Sequence, residues 1–154
     1  EDGLPVARFE QAPARFLGVE AGIDATFNKY IGWFISADAV RAKLTNDDFN
    51  LPRIPPARVR TGFEFRYRDL TVRPEAVFAR NQNKVAPLEL PTAGYGIFNV
   101  SGSYTIAREH FAHIFTFNAY NLTDKLYRNH VSFIKELTPE IGRGIRFGYT
   151  VRFF

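Results

Sequence analysis

The stretch Arg15-Phe16-Leu17-Gly18-Val19-Glu20-Ala21-Gly22-Ile23-Asp24-Ala25-Thr26-Phe27-Asn28 decides the fold. Leu17, Val19, Ala21, Ile23, Ala25 and Phe27 occupy one parity, and Phe16, Gly18, Glu20, Gly22, Asp24 and Thr26 the other. Side chains alternate across a strand, so this is a strand with one apolar and one polar face. The pattern recurs along the chain. In 57–68, Ala57, Val59, Thr61, Phe63, Phe65 and Tyr67 oppose Arg58, Arg60, Gly62, Glu64, Arg66 and Arg68. In 95–106, Phe98, Val100, Gly102, Tyr104 and Ile106 oppose Ile97, Asn99, Ser101, Ser103 and Thr105. The last segment sets Ile145, Phe147, Tyr149, Val151 and Phe153 against Arg146, Gly148, Thr150 and Arg152.

Weaker strands are expected at 4–10, 31–45, 70–80 and 111–122, with a bulge near Asp38. That makes about eight strands and no helix. Short turns at Asn28–Tyr30, Arg68–Leu70 and Arg108–His110 alternate with long connections at Thr45–Pro56, Asn81–Gly94 and Thr123–Gly144. An antiparallel meander with short turns at one end and long loops at the other is the plan of a transmembrane β-barrel. A soluble antiparallel barrel also alternates. Against it stand the long charged side chains of the polar face, where a small soluble barrel needs apolar filling, and the aromatics near strand ends.

Composition agrees. The 154 residues suit one domain or a piece of one, and 45% hydrophobic with 16% aromatic content excludes a disordered chain. No apolar run approaches the roughly 20 residues of a spanning helix. Cysteine is absent, which removes disulfides, thiolate metal sites and thiol nucleophiles. The chain opens on Glu1 rather than Met, as expected of a processed or partial chain.

In the C-terminal third, Phe117-Asn118-Ala119-Tyr120-Asn121-Leu122-Thr123-Asp124-Lys125-Leu126-Tyr127-Arg128-Asn129-His130 resembles the C-terminal region of TonB-dependent outer-membrane receptors. So do Pro139, Gly142-Arg143 and the closing Gly148-Tyr149-Thr150-Val151-Arg152-Phe153 strand. Upstream, Ala14–Glu20, Leu51–Pro56 and Tyr95–Ser101 are similar to the same family in order and spacing. The resemblance implies a barrel of about 22 strands with an internal plug. Residues 1–154 would supply about its last eight strands, with the plug domain upstream. It also implies the outer membrane of a Gram-negative-type bacterium, a TonB energy-coupling partner and the barrel-assembly machinery. The substrate implied is a small-molecule metal chelate such as a siderophore or haem, with zinc or cobalamin as further cargoes. No enzyme activity and no cofactor are implied.

The inward face would carry Glu20, Asp24, Arg58, Arg60, Glu64, Arg66, Arg146 and Arg152. Buried charges need partners, so these pair with one another, with water or with the plug, or form an electropositive wall for an anionic chelate. Barrels of the resembled kind end in an aromatic residue read during assembly. Phe154 is terminal, yet Phe153 is in phase with the apolar face, so either Phe153 is the signal or the terminus bends. His110 and His113 belong to a periplasmic turn, whereas His130 belongs to the last extracellular loop; they cannot share a metal. His130, with Arg128 nearby, is the candidate for ligand capture, the ordinary alternative being an exposed loop histidine. Ser132 beside His130 lacks an orienting acid. The arginines and aromatics lie on opposite faces, which disfavours a nucleic-acid stacking groove. Two other readings follow from the residues: a self-contained eight-stranded pore or anchor, in which 4–10 pairs with 145–154, and a lipocalin-like soluble barrel with inverted faces.

Overall fold

Each alternating stretch becomes a strand in the computed structural model, which describes residues 11–154. The strands are β1 (Ala14–Thr26), β2 (Ile31–Leu44), β3 (Arg58–Tyr67), β4 (Leu70–Ala79), β5 (Tyr95–Ala107), β6 (Phe111–Tyr120) and β7 (Gly144–Phe153). They form one antiparallel sheet in the order β1-β2-β3-β4-β5-β6-β7. The expected strand at 4–10 lies outside the described residues. Among those described, the sheet has seven strands and does not close, for β1 pairs only with β2 and β7 only with β6.

The registers fix the two faces, because directly opposed residues in an antiparallel pair project to the same side. Leu17 faces Arg41, Trp33 faces Phe63, Phe65 faces Val72, Phe78 faces Gly96, Tyr104 faces Phe115, and Phe117 faces Phe147. One continuous apolar surface therefore runs from β1 to β7. The other surface joins Glu20 with Asp38, Asp38 with Arg58, Arg60 with Val77, and Asn118 with Arg146. Gly22 and Asp24 of β1 line one cavity with Asn118 and Tyr120 of β6, with four strands between them in the sheet. Only the concave side of a curled sheet brings such distant strands around one space, so the polar face is concave and the apolar face convex. A lipocalin-like arrangement needs the reverse.

The apolar face is bare. Leu17 is 73% exposed, Ile23 59% and Phe147 79%. Among the described residues, the buried apolar ones are Ala42, Ala79 and Ala112, all small. A soluble monomer rarely exposes so large a contiguous apolar surface. In hydrocarbon the same surface is satisfied, with the backbone bonded strand to strand.

One local expectation meets a correction. The β1–β2 pairing runs unbroken through Asp38, and the β2–β3 pairing holds its register up to Asp38 opposite Arg58, its last pair, so there is no bulge there. The interruption falls instead between β3 and β4, where Phe63 and Glu64 have no ladder partners opposite Pro74 and Arg73. Pro74 has no N–H to give to a ladder. The β4–β5 pairing continues through it, Pro74 facing Val100.

Candidate functional site

Every charge expected on the inward side lies on the concave face: Glu20 and Asp24 on β1, Arg58, Arg60, Glu64 and Arg66 on β3, Arg146 and Arg152 on β7. The register adds Asp38, Arg73 and Glu75, which sequence parity left unassigned. The centre of this wall is neutralised by cross-strand pairs. Arg58 Nε donates to both oxygens of Asp38 at 3.2 Å. Arg60 meets Glu75 at 3.4 Å, and Glu64 sits between Arg66 and Arg73, the latter at 3.2 Å. Asn99 Nδ2 also donates to Glu75 at 3.2 Å. The flanks differ. Among the described residues, Glu20 and Asp24 on β1 and Arg146 and Arg152 on β7 make no ion pair. The wall is thus acidic at one edge, paired in the middle and basic at the other edge, rather than uniformly electropositive.

The three long connections leave the sheet at one end and interlock. Asn121 directly follows β6 with a positive φ of 48° and is 2% exposed. Its amide donates to the carbonyls of Lys125 and Ile141, and its oxygen accepts the N–H of Lys125. Its own N–H donates to Asn99 Oδ1 at 2.9 Å. Asp124, with φ 50°, accepts the N–H of Arg143 at 3.0 Å. Asn and Asp tolerate this left-handed backbone and bond locally, so the two residues staple both ends of the long connection together.

A second knot joins all three connections. His130 is 1% exposed and Lys135 5%. Lys135 Nζ donates to Glu89 Oε1 at 2.7 Å. Glu89 also accepts the backbone N–H groups of Arg53 and Ala86 at 3.0 and 3.1 Å. His130 Nε2 lies 3.2 Å from Glu89 Oε1, and its Nδ1 lies 2.9 Å from the Thr92 hydroxyl. The neutral imidazole with its proton on Nε2 satisfies both contacts, donating to Glu89 and accepting from Thr92. Burial, and then the Lys135 ammonium, hold the His130 pKa below its ordinary value, while Glu89 opposes them. Burial alone would raise the Glu89 pKa, but the Lys135 hydrogen bond and the two N–H donors hold it low. Gln82 bonds the Ile54 carbonyl at 2.8 Å, and the Arg53 guanidinium lies 3.5 Å from the Phe133 ring centre.

His130 is therefore neither a free loop histidine nor open to a ligand; it is a buried strut. Arg128 is exposed, but its Nη1 holds the Lys135 carbonyl at 2.7 Å. The structure keeps His110 and His113 at the short-turn end, away from His130, and His113 Nδ1 contacts the Tyr149 hydroxyl at 2.6 Å. Among the described residues, no cluster of three His, Cys, Asp or Glu side chains could hold a metal. At the terminus, Phe153 faces Phe111, and the Phe154 N–H donates to the His110 carbonyl at 3.1 Å. That bond carries the backbone pairing one residue beyond the end of β7 at Phe153.

A family profile described as "TonB dependent receptor-like, beta-barrel" matches residues 2–122. The chain belongs to the TonB-dependent receptor β-barrel family. Its home is therefore the outer membrane of Gram-negative bacteria, and its family consists of transporters rather than enzymes. Among solved structures, the TonB-dependent barrel of "Copper transporter OprC" is similar at 27% identity and a TM-score of 0.76. The match covers 91% of this chain and 23% of that one. The ferric yersiniabactin uptake receptor FyuA from Yersinia pestis shares the fold at 18% identity and a TM-score of 0.61, again over 91% and 23%. The chain thus spans about a quarter of the length of these TonB-dependent relatives.

Proposed function

We propose that residues 1–154 form the C-terminal part of a plug-containing TonB-dependent receptor that takes up a scarce metal, carried as a small-molecule chelate, across the outer membrane. The carrying observation is the sheet's asymmetry: a bare apolar convex face, a charged concave face and three interlocked long loops at one end. That combination suits lipid outside, a hydrated plug inside and a ligand-capturing mouth. The long-loop end is the extracellular one, and the short turns face the periplasm, where TonB engages the plug. The edges at β1 and β7, open among the described residues, fit a larger barrel whose other strands continue the ladder. Arg146 and Arg152, which make no ion pair among the described residues, would meet carboxylates of the plug or of the strand beyond β7. Phe153, on the convex face, would be the residue read by the assembly machinery.

The cargo favoured is a metal chelate, an iron complex above all, rather than a bare soft cation. The chain offers neither Cys nor Met, and its buried histidine is already engaged. A chelate brings its own donors and needs only polar and charged contacts from the barrel. The test begins with immunoblotting of outer-membrane fractions. A band several times larger than 17.6 kDa is expected, and a band at 17.6 kDa overturns the reading. Uptake of labelled ferric chelate should then fall to background on deletion of the gene or of TonB, whereas TonB-independent uptake would overturn the mechanism.

A further inference from the structure

Two tyrosines meet at the long-loop end of the sheet. Tyr95 opens β5 and stands opposite Ala79, which faces Arg58 in turn, so it belongs to the concave face. Tyr127 belongs to the 123–144 connection, where its carbonyl accepts the Glu140 N–H at 2.9 Å. The two ring centres are 4.2 Å apart with an interplanar angle of 39°. Aromatic pairs ordinarily keep their centres about 4.5–7 Å apart. At 4.2 Å carbons of the two rings are in van der Waals contact. Both residues are half-buried, so solvent and small oxidants reach the pair. Tyr30 and Tyr67, at the short-turn end, have a similar angle of 37° but a separation of 6.4 Å.

We propose that Tyr95 and Tyr127 form an oxidative modification site, at which a peroxide-derived one-electron oxidant joins the two rings by a carbon–carbon bond. Each phenol gives one electron to the oxidant and its hydroxyl proton to water. The two phenoxyl radicals carry spin on their ortho carbons. Coupling of one ortho carbon from each ring makes the bond, and each ring then moves the hydrogen of that carbon to its oxygen. Two phenols thus become one biphenol with the loss of two protons and two electrons, and the oxidant takes the electrons. A phenoxyl radical couples only if it meets a second one before it is quenched, and a fixed contact removes the need for that encounter. The sequence also directs oxidation to tyrosine, since it has neither Met nor Cys, the side chains that oxidants commonly attack. Its one tryptophan, Trp33, faces Phe63 on the convex side. The bond would tie the 123–144 connection to β5. Hydrogen bonds from Asn121 and Asp124 already staple that connection, and the link adds a covalent tether at Tyr127. None of this depends on the cargo.

The test irradiates the full-length protein carrying this sequence, in neutral detergent, with tris(bipyridyl)ruthenium(II) and persulfate. Proteolysis and mass spectrometry should find peptides joined through Tyr95 and Tyr127, lighter than their sum by two hydrogen atoms. This link should form at least tenfold more than one between Tyr30 and Tyr67, and unfolding before irradiation should abolish the excess. Tyr127→Phe keeps the ring but cannot couple, so biphenol fluorescence should fall severalfold. Equal yields of the two links, an excess that survives unfolding, or undiminished fluorescence in the variant would each overturn the proposal. In the linked protein, amide exchange in 123–144 should slow severalfold, and unchanged exchange overturns the tether. Cells given sublethal hydrogen peroxide should yield outer-membrane protein with the same joined peptides. Their absence overturns the pair as a modification site of the living protein.

Discussion

Single residues decide how tightly neighbouring strands approach. Gly62 faces Phe34, whose ring lies across it, and a Cβ there would collide with the Pro74 carbonyl oxygen and fall 2.7 Å from Phe34 Cζ. The backbone oxygen cannot retreat, so Gly62→Ala should destabilise the barrel by about 1–3 kcal/mol, the usual cost of overpacking. Gly22, by contrast, would meet nothing nearer than 3.7 Å. Gly22→Ala should therefore leave the urea midpoint unchanged while Gly62→Ala lowers it. Equal midpoints would show that the β3–β4 gap at Pro74 absorbs the methyl group. Asn121 works by the opposite logic, filling rather than emptying space. Replacing it with Ala strips the carbonyls of Lys125 and Ile141 of their donor, at a cost of about 0.5–1.5 kcal/mol for each hydrogen bond lost. Faster amide exchange in 121–143, with β6 unchanged, is the expected signature.

At the scale of the element, the last strand carries the sharpest test. Phe153 faces Phe111 on the convex side, and Phe154 extends the ladder on the concave side. Phe153→Ala should reduce the yield of folded barrel in the outer membrane severalfold, and Phe154→Ala should reduce it less; the reverse order would make the final residue the assembly signal. The strands themselves were legible in the sequence because alternation is a local property. Leu17 to Phe27 and Ile145 to Phe153 announce their faces without any partner. The signs of the concave wall were legible for the same reason. Its pairings were not, since they depend on register: Asp38 meets Arg58 only because Ala37 stands opposite Val59. The loop knot was beyond reach altogether. Lys135 and Glu89 are 46 residues apart, and Thr92 and His130 are 38 apart, within segments that carry no periodicity. His130 read as an exposed loop histidine because nothing local shows that two other connections fold over it.

For the whole molecule, that knot makes the cap responsive to acid. His130 and Glu89 both have folded pKa values below their ordinary 6.5 and 4.5. A group held low binds fewer protons folded than unfolded, so its contribution is complete above the ordinary value and is lost as pH falls. For His130 the loss begins near 6.5 and continues down through its lowered folded value; for Glu89 it begins near 4.5. Protonated His130 would also face the Lys135 ammonium, 3.3 Å from its Nδ1, as a like charge. Opening of 81–94 and 123–144 should therefore grow by up to about tenfold per pH unit below 6.5, read by hydrogen exchange corrected for intrinsic rates. The β5–β6 ladder, which contains neither group, should keep its protection over the same range. His130→Gln should abolish the limb between 6.5 and 4.5 and retain the carboxylate limb beneath it. A variant with the unchanged upper limb would place the acid response elsewhere. Lys135→Met should loosen the cap at every pH, because it leaves Glu89 buried without its cation, a change that costs about 3–5 kcal/mol when a buried pair is broken. Since the knot joins all three connections, the loosening should reach 45–56 as well. Release confined to 123–144 would mean that the three loops move independently rather than as one lid.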